Sequence, residues 1–321
     1  MHLSPERVSI PSSEKNSPAE QKHFTVNGFD YAAQLWSQES GDGSDQLPAI
    51  ALHGWLDNSA SFSVLAPQLK NIQCLAIDLA GHGCSEHKTG LADYPLWSDI
   101  SAIYAIADQM GWQRFTLIGH SRGAMMALLA AGVFPERISH LIMIDSMMPP
   151  VVESHQAVER FCHSIEEIQR RVKRPLSLYS SYDEAIKARC DSRYAPVTSA
   201  TARRLADRGL REVEGQFHWH ADGKLWAPSN VALSYDMVMA FAQKIAKTPL
   251  ASLLLMGDHG LVKMAESNNV MRRQCDQLIE LLSTQVHNFD DGHFLHMEKA
   301  ASEVANIINA FLSVKAPLIE T

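Results

Sequence analysis

The chain has 321 residues, of which 46% are hydrophobic and 20% charged, proportions that are ordinary for a folded globular protein and do not indicate disorder. Its formal net charge of -8 argues against a general nucleic-acid binder, because such proteins usually present a basic face. The five cysteines are scattered without a Cys-x-x-Cys pair, which favours reduced thiols in the cytoplasm over a disulfide framework or a zinc site.

The first 21 residues are polar and contain Pro5, Pro11 and Pro18. They lack the apolar segment of a secretory signal, and no later run is long and apolar enough for a transmembrane helix. We therefore expect a mobile tail over residues 1–21 and no membrane span.

Short apolar runs then alternate with longer amphipathic stretches. The runs predict strands at 23–26, 31–36, 49–52, 73–77, 115–118, 141–144, 252–256 and 285–289. The stretches predict helices at 61–70, 96–110, 121–133, 262–282 and 299–314. This alternation is typical of a parallel sheet covered on both faces. Asn27-Gly28 joins the first two runs and is a hairpin signal, so we expect the sheet to begin with an antiparallel pair.

The segment 149–247 interrupts this alternation. It has no clear strand and is rich in charge, with Glu166 and Arg170, and Glu167 and Arg171, at the i,i+4 spacing of a solvated helix face. We interpret the segment as a helical cap inserted into an α/β core that comprises residues 22–148 and 248–316.

The sequence Gly-His-Ser-Arg-Gly at 119–123 lies between an apolar strand and an apolar helix. This is the strand–turn–helix setting of a nucleophile elbow, whose tight turn exposes a serine. Only small residues such as Gly119 and Gly123 let the strand and the helix approach so closely. The helix N-terminus then directs its dipole at charge that develops near the serine. The motif predicts Ser121 as a catalytic nucleophile.

A serine hydroxyl needs a base that takes its proton. His293 follows the last predicted strand and precedes the last predicted helix, which is where the Ser–acid–His order places its histidine. His296 is the main alternative to His293 as the base. It can also be interpreted as a structural histidine at the start of the final helix.

The third catalytic residue is expected to be a carboxylate that orients the imidazole. Asp258 follows the strand at 252–256 and Gly257, and it satisfies the chain order Ser–Asp–His, so it is the preferred acid. Asp145 is the alternative, because it ends the strand at 141–144 and a neighbouring strand end can also deliver a carboxylate.

An oxyanion site needs two N–H donors. The backbone N–H of Arg122, directly after the nucleophile, is one candidate, and that of Trp55, in the turn after the third strand, is the other. For the Arg122 side chain we expect an ion pair with a carboxylate such as Asp57 or Asp145. In the loop at 78–85, Asp78 is expected to bind backbone amides.

Four segments together resemble the α/β-hydrolase superfamily: His-Gly-Trp-Leu-Asp-Asn at 53–58, the loop at 78–85, the elbow at 119–123 and the segment at 292–298. The first of these is also similar to the serine hydrolase-like branch, as are Phe-His-Trp-His-Ala-Asp at 217–222 and Pro228-Ser229. The resemblance implies an eight-stranded sheet, a cap, no cofactor and hydrolysis through an acyl-enzyme.

Together these features predict hydrolysis of a small-molecule carboxylic ester without a metal. A thioesterase, an amidase or a carbon–carbon hydrolase with the same three residues is the alternative within enzymes. A ligand-binding protein with slow turnover is the alternative outside them. Dehalogenase and epoxide hydrolase chemistry is disfavoured, because those enzymes need an aspartate at the position of Ser121.

Overall fold

The computed structural model describes residues 19–37, 46–193, 195–260 and 269–313. Within these ranges the chain forms ten strands. They are β1 (Glu20–Val26), β2 (Phe29–Trp36), β3 (Leu47–Leu52), β4 (Ile72–Ile77), β5 (Phe115–His120), β6 (Ile138–Ile144), β7 (Leu210–Val213), β8 (Gln216–Trp219), β9 (Ala251–Gly257) and β10 (Gln285–Phe289). Of the predicted tail, residues 1–18 lie outside the described residues, whereas Glu20 and Gln21 belong to β1.

Eight of the strands form one sheet in the order β1-β2-β4-β3-β5-β6-β9-β10. The pairs from β4 to β10 in this order are parallel, and β2 pairs antiparallel with both β1 and β4. Asn27 and Gly28 adopt φ of 53° and 79°, as a tight hairpin turn requires. The sheet confirms the predicted α/β-hydrolase fold with its antiparallel start.

The described helices surround this sheet. They are α1 (Ile100–Gln109), α2 (Arg122–Val133), α3 (Ala157–Lys173), α4 (Tyr182–Cys190), α5 (Ser199–Gly209), α6 (Tyr235–Ala246), α7 (Asn269–Leu281) and α8 (Ala301–Ser313). No helix within the described ranges is long and apolar enough to cross a membrane. All five cysteines are unpaired.

Two apolar layers pack on opposite faces of the sheet, because successive strand residues point to opposite sides. In β3, Ile50 and Leu52 belong to the layer that contains residues of α1, α2, α6 and α7. Ala49 and Ala51 belong to the layer that contains residues of α8. The central strands are therefore buried on both faces, which explains their continuous apolar sequence.

The predicted helix at 61–70 is wrong. The segment forms two short 3-10 turns, Ser59–Phe62 and Ala66–Gln68. Asn58 caps the first turn through a bond from the Ala60 amide to its side-chain oxygen, 3.0 Å long. Pro67 has no N–H and cannot continue an α-helical ladder begun at residue 61. At the other end of the chain, residues 262–268 and 314 of the predicted helices lie outside the described residues.

The insertion after β6 contains α3, α4 and α5, and also a β-hairpin that the sequence analysis missed. Strands β7 and β8 pair antiparallel through Glu214-Gly215, which adopt φ of 54° and 77°. Helix α6, which the sequence analysis assigned to the insertion, instead packs on α2 of the core. A Cβ on Gly132 of α2 would lie 2.7 Å from the Phe241 Cβ of α6.

A buried ion pair joins the insertion to the core. Arg208 of α5 donates to the Asp78 carboxylate over 2.6 Å from Nη2, and Asp78 also accepts from the amides of Ser59 and Cys84 over 2.6 and 2.8 Å. The two amide bonds confirm the role predicted for Asp78. Burial opposes ionisation of this carboxyl, but Arg208 and the Ser59 amide outweigh it, so the pKa of Asp78 is lowered.

In the turn between β5 and α2, backbone atoms of neighbouring segments are in close contact. A Cβ on Gly119 would overlap the carbonyl oxygen of Gly123, and a Cβ on Gly123 would overlap that of Leu52 in β3. Because backbone atoms cannot move aside without displacing the strands, both positions require glycine.

Gly123→Ala is therefore expected to lower the free energy of unfolding by about 3 kcal/mol or more, as overpacking against backbone does. Gly223→Ala is the matched control, because a Cβ there meets nothing within 4 Å and its φ is not positive. It is expected to stay within about 0.5 kcal/mol of the parent. Urea unfolding measures both, and equal stability of the two variants would contradict the packing described.

Candidate active site

Ser121 lies in the turn between β5 and α2 with φ 53° and ψ -118°. Such a conformation is strained for a residue with a side chain, and it persists where the surroundings enforce it. The Ser121 amide donates to the Ile144 carbonyl over 2.9 Å, and the Ser121 carbonyl accepts from the Ala124 amide over 3.0 Å. These bonds hold Ser121 at the carboxyl edge of the sheet, where it lines a cleft.

His293 follows β10 and lines the same cleft. Its Nδ1 lies 2.6 Å from Oδ2 of Asp145, and its backbone oxygen lies 2.9 Å from Nε2 of His120. With Nδ1 bonded to a carboxylate, Nε2 is the nitrogen available for a proton from the cleft.

Asp145 follows β6 and adopts φ 47°, which turns its side chain back toward the sheet edge. The Gly257 amide donates to its Oδ1 over 3.0 Å, while Oδ2 contacts His293. A Cβ on Gly260 would overlap the Asp145 carboxylate, so only glycine permits this approach. The carboxylate is fully buried and held on both oxygens.

The sequence analysis preferred Asp258 as the partner of His293, but the structure brings its alternative, Asp145, to Nδ1. Asp258 follows β9 directly, and its amide donates to the Phe289 carbonyl over 2.8 Å. Since β6 and β9 are neighbours, both carboxylates emerge at one edge of the sheet. The positive φ at Asp145 decides which of them is aimed at the histidine.

Trp55 and Arg122, whose backbone N–H groups were predicted as oxyanion donors, lie in the turn after β3 and at the start of α2. Trp55 lies in the turn after β3 and lines the cleft, with its indole Nε1 donating to the Leu225 carbonyl over 2.9 Å. Arg122 is the first residue of α2, where backbone N–H groups have no partner within the helix.

The Arg122 side chain bonds to neither of the two carboxylates that were expected to pair with it. Its Nη2 donates to the Tyr94 carbonyl over 2.6 Å. The prediction of an ion pair with Asp57 or Asp145 is wrong: Asp57 pairs with Arg189 and Asp145 with His293, and the guanidinium bonds to a main-chain oxygen instead. Burial lowers the pKa of the Arg122 guanidinium, an effect that the Asp99 carboxylate opposes.

Asp57, two residues after Trp55, pairs with a cation that the sequence analysis missed. Arg189 of α4 donates to its carboxylate over 3.1 Å, and the Arg189 guanidinium lies 5.2 Å from the Phe294 ring. Nδ1 of His120 lies 3.9 Å from the same carboxylate. The ion pair joins the insertion to the Trp55 turn beside Ser121 and His293. No local sequence signal links α4 to that turn, because the pairing spans 132 residues.

His296, the competitor of His293, is fully buried. Its Nε2 lies 2.8 Å from the hydroxyl of Ser61, and neither residue lines the cleft. A substrate in the cleft would therefore meet His293 and not the Ser61–His296 pair. Burial lowers the pKa of His296 to about 3.

Other histidines behind the site are buried in the same way. They are His53, His82 and His120. Burial lowers the pKa of all three imidazoles, and those of His82 and His120 lie well below the ordinary value. These buried histidines behind Ser121 and His293 are therefore uncharged near neutral pH.

The cleft has a volume of about 1600 Å³. One wall belongs to the core, with Trp55, Ser121 and His293, and the other to the insertion, which contributes Trp219 and Trp226. The two tryptophans of the entrance, Trp55 and Trp226, contact edge to face with ring centroids 4.5 Å apart. Within the described ranges, no group of three or more His, Cys, Asp or Glu residues is arranged to hold a metal ion.

Comparisons with known proteins agree with this geometry. A family model for the alpha/beta hydrolase fold matches residues 50–181. The crystal structure of a hypothetical protein from Pseudomonas aeruginosa PAO1 is 32% identical, covers 92% of this chain and 99% of its own, and has a TM-score of 0.82. A serine hydrolase-like protein of Danio rerio is 25% identical over 290 residues, which are 88% of this chain and 85% of the relative. An sn-1-specific diacylglycerol lipase of Mus musculus is 24% identical over 277 residues, covering 85% and 83%.

The chain thus belongs to the α/β-hydrolase superfamily. Within the superfamily it is similar to the serine hydrolase-like proteins. The family resemblance that the sequence motifs indicated is confirmed.

The buried histidines generate a prediction about acid stability. The unfolded chain protonates these imidazoles below about pH 6.5, whereas the folded chain keeps them neutral, so stability falls as the pH falls through that value. Each such histidine contributes about 1.4 kcal/mol per pH unit until the pH approaches its pKa in the folded state. We expect the free energy of unfolding to drop by several kcal/mol between about pH 7 and pH 5, as measured by urea unfolding.

His296→Gln is expected to reduce that slope by about 1 kcal/mol per pH unit, because it removes one suppressed titration. His163→Gln, on the exposed side of α3, is the control and leaves the slope unchanged. A free energy of unfolding that stays constant over this pH range would contradict the neutral state of the buried histidines.

Proposed function

We propose that the chain is a serine hydrolase that cleaves a small-molecule carboxylic ester through an acyl-enzyme. In this proposal Ser121 is the nucleophile, His293 the general base and Asp145 the acid. The observation that carries it is the 2.6 Å contact between His293 Nδ1 and Asp145 Oδ2, at a cleft that Ser121 also lines. A carboxylate in that position fixes the imidazole tautomer and stabilises the imidazolium.

In the first step the Ser121 hydroxyl oxygen attacks the ester carbonyl carbon while His293 Nε2 takes the hydroxyl proton. The resulting oxyanion accepts hydrogen bonds from the backbone N–H groups of Trp55 and Arg122. Each such donor contributes about 3–4 kcal/mol when it is well placed. The tetrahedral intermediate then expels the alcohol, which receives the proton from His293, and the acyl group stays on Ser121.

In the second step His293 takes a proton from water, and the hydroxide oxygen attacks the acyl carbon. The second tetrahedral intermediate releases the carboxylic acid, and Ser121 regains its proton from His293. The insertion acts as a cap that surrounds the acyl or alcohol portion, a role supported by its share of the cleft wall. The unpaired cysteines support the proposal that the protein functions in a reducing compartment such as the cytoplasm.

The same three residues would also serve a thioesterase, an amidase or a carbon–carbon hydrolase. The carboxylic ester is favoured because one relative is named as a diacylglycerol lipase. A ligand-binding protein with slow turnover is the candidate from another class. The strained conformation of Ser121 argues against it, since a binding site has no need of such a turn.

Ser121→Ala is expected to abolish labelling by a fluorophosphonate probe and to lower the hydrolysis of a nitrophenyl ester by about three orders of magnitude or more. Ser61→Ala is the matched serine control, because Ser61 lies outside the cleft, and it keeps both activities. Parallel assays with thioester, amide and diketone substrates identify the preferred bond. Parent protein that takes no label would favour the ligand-binding alternative, and a Ser121→Ala variant with parental turnover would refute the nucleophile.

The acid is tested by two asparagine variants. Asp145→Asn is expected to lower kcat by about 10³–10⁴, because the amide holds the imidazole in the wrong tautomer. Asp258→Asn is expected to retain kcat within about threefold, since it leaves the contact with Nδ1 in place. Steady-state kinetics on a nitrophenyl ester measure both variants, with circular dichroism as the check on folding. The reverse ranking would assign the acid to Asp258.

A further inference from the structure

Helix α3 carries an apolar face that no other part of the described chain covers. Val158, Phe161, Ile165 and Val172 are 75%, 46%, 40% and 53% exposed. Their spacing of three, four and seven residues puts them along one side of the helix. Ile168 lies on the same side of the helix but is buried, as are Ser164 and Glu167 on the adjoining side, so the exposed residues border the face that packs inward. We refer to these four exposed residues, together with Leu176 beyond the helix, as the apolar stripe.

The apolar stripe runs into the entrance of the cleft. Val172 and Leu176 both line the cleft, although Leu176 is 62% exposed. Trp226, which is 43% exposed, also lines the cleft, and its ring lies 5.5 Å from the guanidinium of Arg171. A molecule that reached the stripe would therefore be at the opening that leads to Ser121.

Cations border the same end of the stripe. Lys173 and Arg174 are exposed there, whereas the Arg170 guanidinium, although 70% of its side chain is exposed, pairs with Glu167 of the same helix. A helix with one apolar face and flanking cations has the composition of helices that lie in the plane of an anionic bilayer. A second copy of this chain on the stripe would cover Val172 and Leu176 and so obstruct the entrance.

We propose that the apolar stripe and its basic end dock the protein on an anionic phospholipid bilayer, and that the ester it cleaves is a lipid ester drawn from that surface. The second part rests on the proposed ester hydrolysis, whereas the docking does not. The apolar side chains enter the interface, the cations contact lipid phosphates and carboxylates, and the cleft entrance faces the bilayer.

The test uses the full chain and vesicles of phosphatidylcholine, either pure or with about 30% phosphatidylserine. We expect cosedimentation with the anionic vesicles to be at least about tenfold stronger than with the neutral ones, and to weaken in about 0.5 M salt. The double variant Phe161→Gln/Ile165→Gln is expected to lower partitioning onto the anionic vesicles at least about tenfold, because it removes apolar side chains from the stripe. Neither residue lines the cleft, so the variant tests docking separately from the cleft. Lys173→Gln is expected to weaken binding only at low salt.

Met237→Gln on α6 is the matched control, because Met237 is 41% exposed, close to the value for Ile165. It is expected to bind as the parent does. The double variant should also keep parental hydrolysis of a water-soluble nitrophenyl ester while it loses hydrolysis of a lipid ester held in the vesicles. A parent protein that does not hydrolyse the water-soluble ester would refute the proposed hydrolase activity but not the proposed docking.

Three results would overturn the docking proposal. One is parent protein that does not sediment with the anionic vesicles. Another is a double variant that binds them as the parent does. The third is a parent protein that is a dimer by light scattering and a double variant that is a monomer, with no vesicle binding by either. That result would assign the stripe to a second copy of the chain.

Discussion

The backbone of the elbow approaches β3 so closely that there is no room for a side chain at Gly123. That contact fixes where α2 begins, and thereby the positions of Ser121 and of the Arg122 amide relative to the Trp55 turn, which continues from the same strand. A displacement at this point would change the distance between the Ser121 side chain and the backbone N–H of Trp55. Two strands and a helix surround the turn and keep Ser121 in its strained conformation.

The insertion is joined to this framework through charges and not only through apolar packing. Arg189 reaches Asp57, and Arg208 reaches Asp78, so each of these two buried carboxylates is paired with a guanidinium from the insertion. Such pairs add little net stability over apolar contacts, because both charges must leave water. Their effect is on geometry, since they allow only one placement of the insertion over the cleft.

Sequence reasoning was sufficient where a local pattern determines the structure. The elbow around Ser121, the position of His293 after the last strand and the hairpin at Asn27-Gly28 each depend on a few consecutive residues, and all lie where they were expected. The alternation of strands and helices predicted the mostly parallel sheet, and the resemblance of four motif segments indicated the α/β-hydrolase fold.

Sequence reasoning was insufficient where contacts between distant segments determine the structure. Asp145 and Asp258 both follow neighbouring strands, and the choice depends on a positive φ and on the space that Gly260 leaves. The partner of Arg122 proved to be a main-chain carbonyl, which no side-chain pattern encodes. The hairpin in the insertion could have been found, since Glu214-Gly215 is a short turn between two segments that carry apolar residues.

The two guanidinium–carboxylate pairs also determine how the cleft exchanges its contents. Lifting the insertion as a rigid body would leave Asp57 and Asp78 buried without counter-charges, at a cost of about 3–5 kcal/mol for each pair broken. Entry past Val172 and Trp226, which both line the cleft and are 53% and 43% exposed, breaks neither pair. An insertion held by both pairs would therefore admit molecules according to the width of the cleft opening and not through the swing of a hinge.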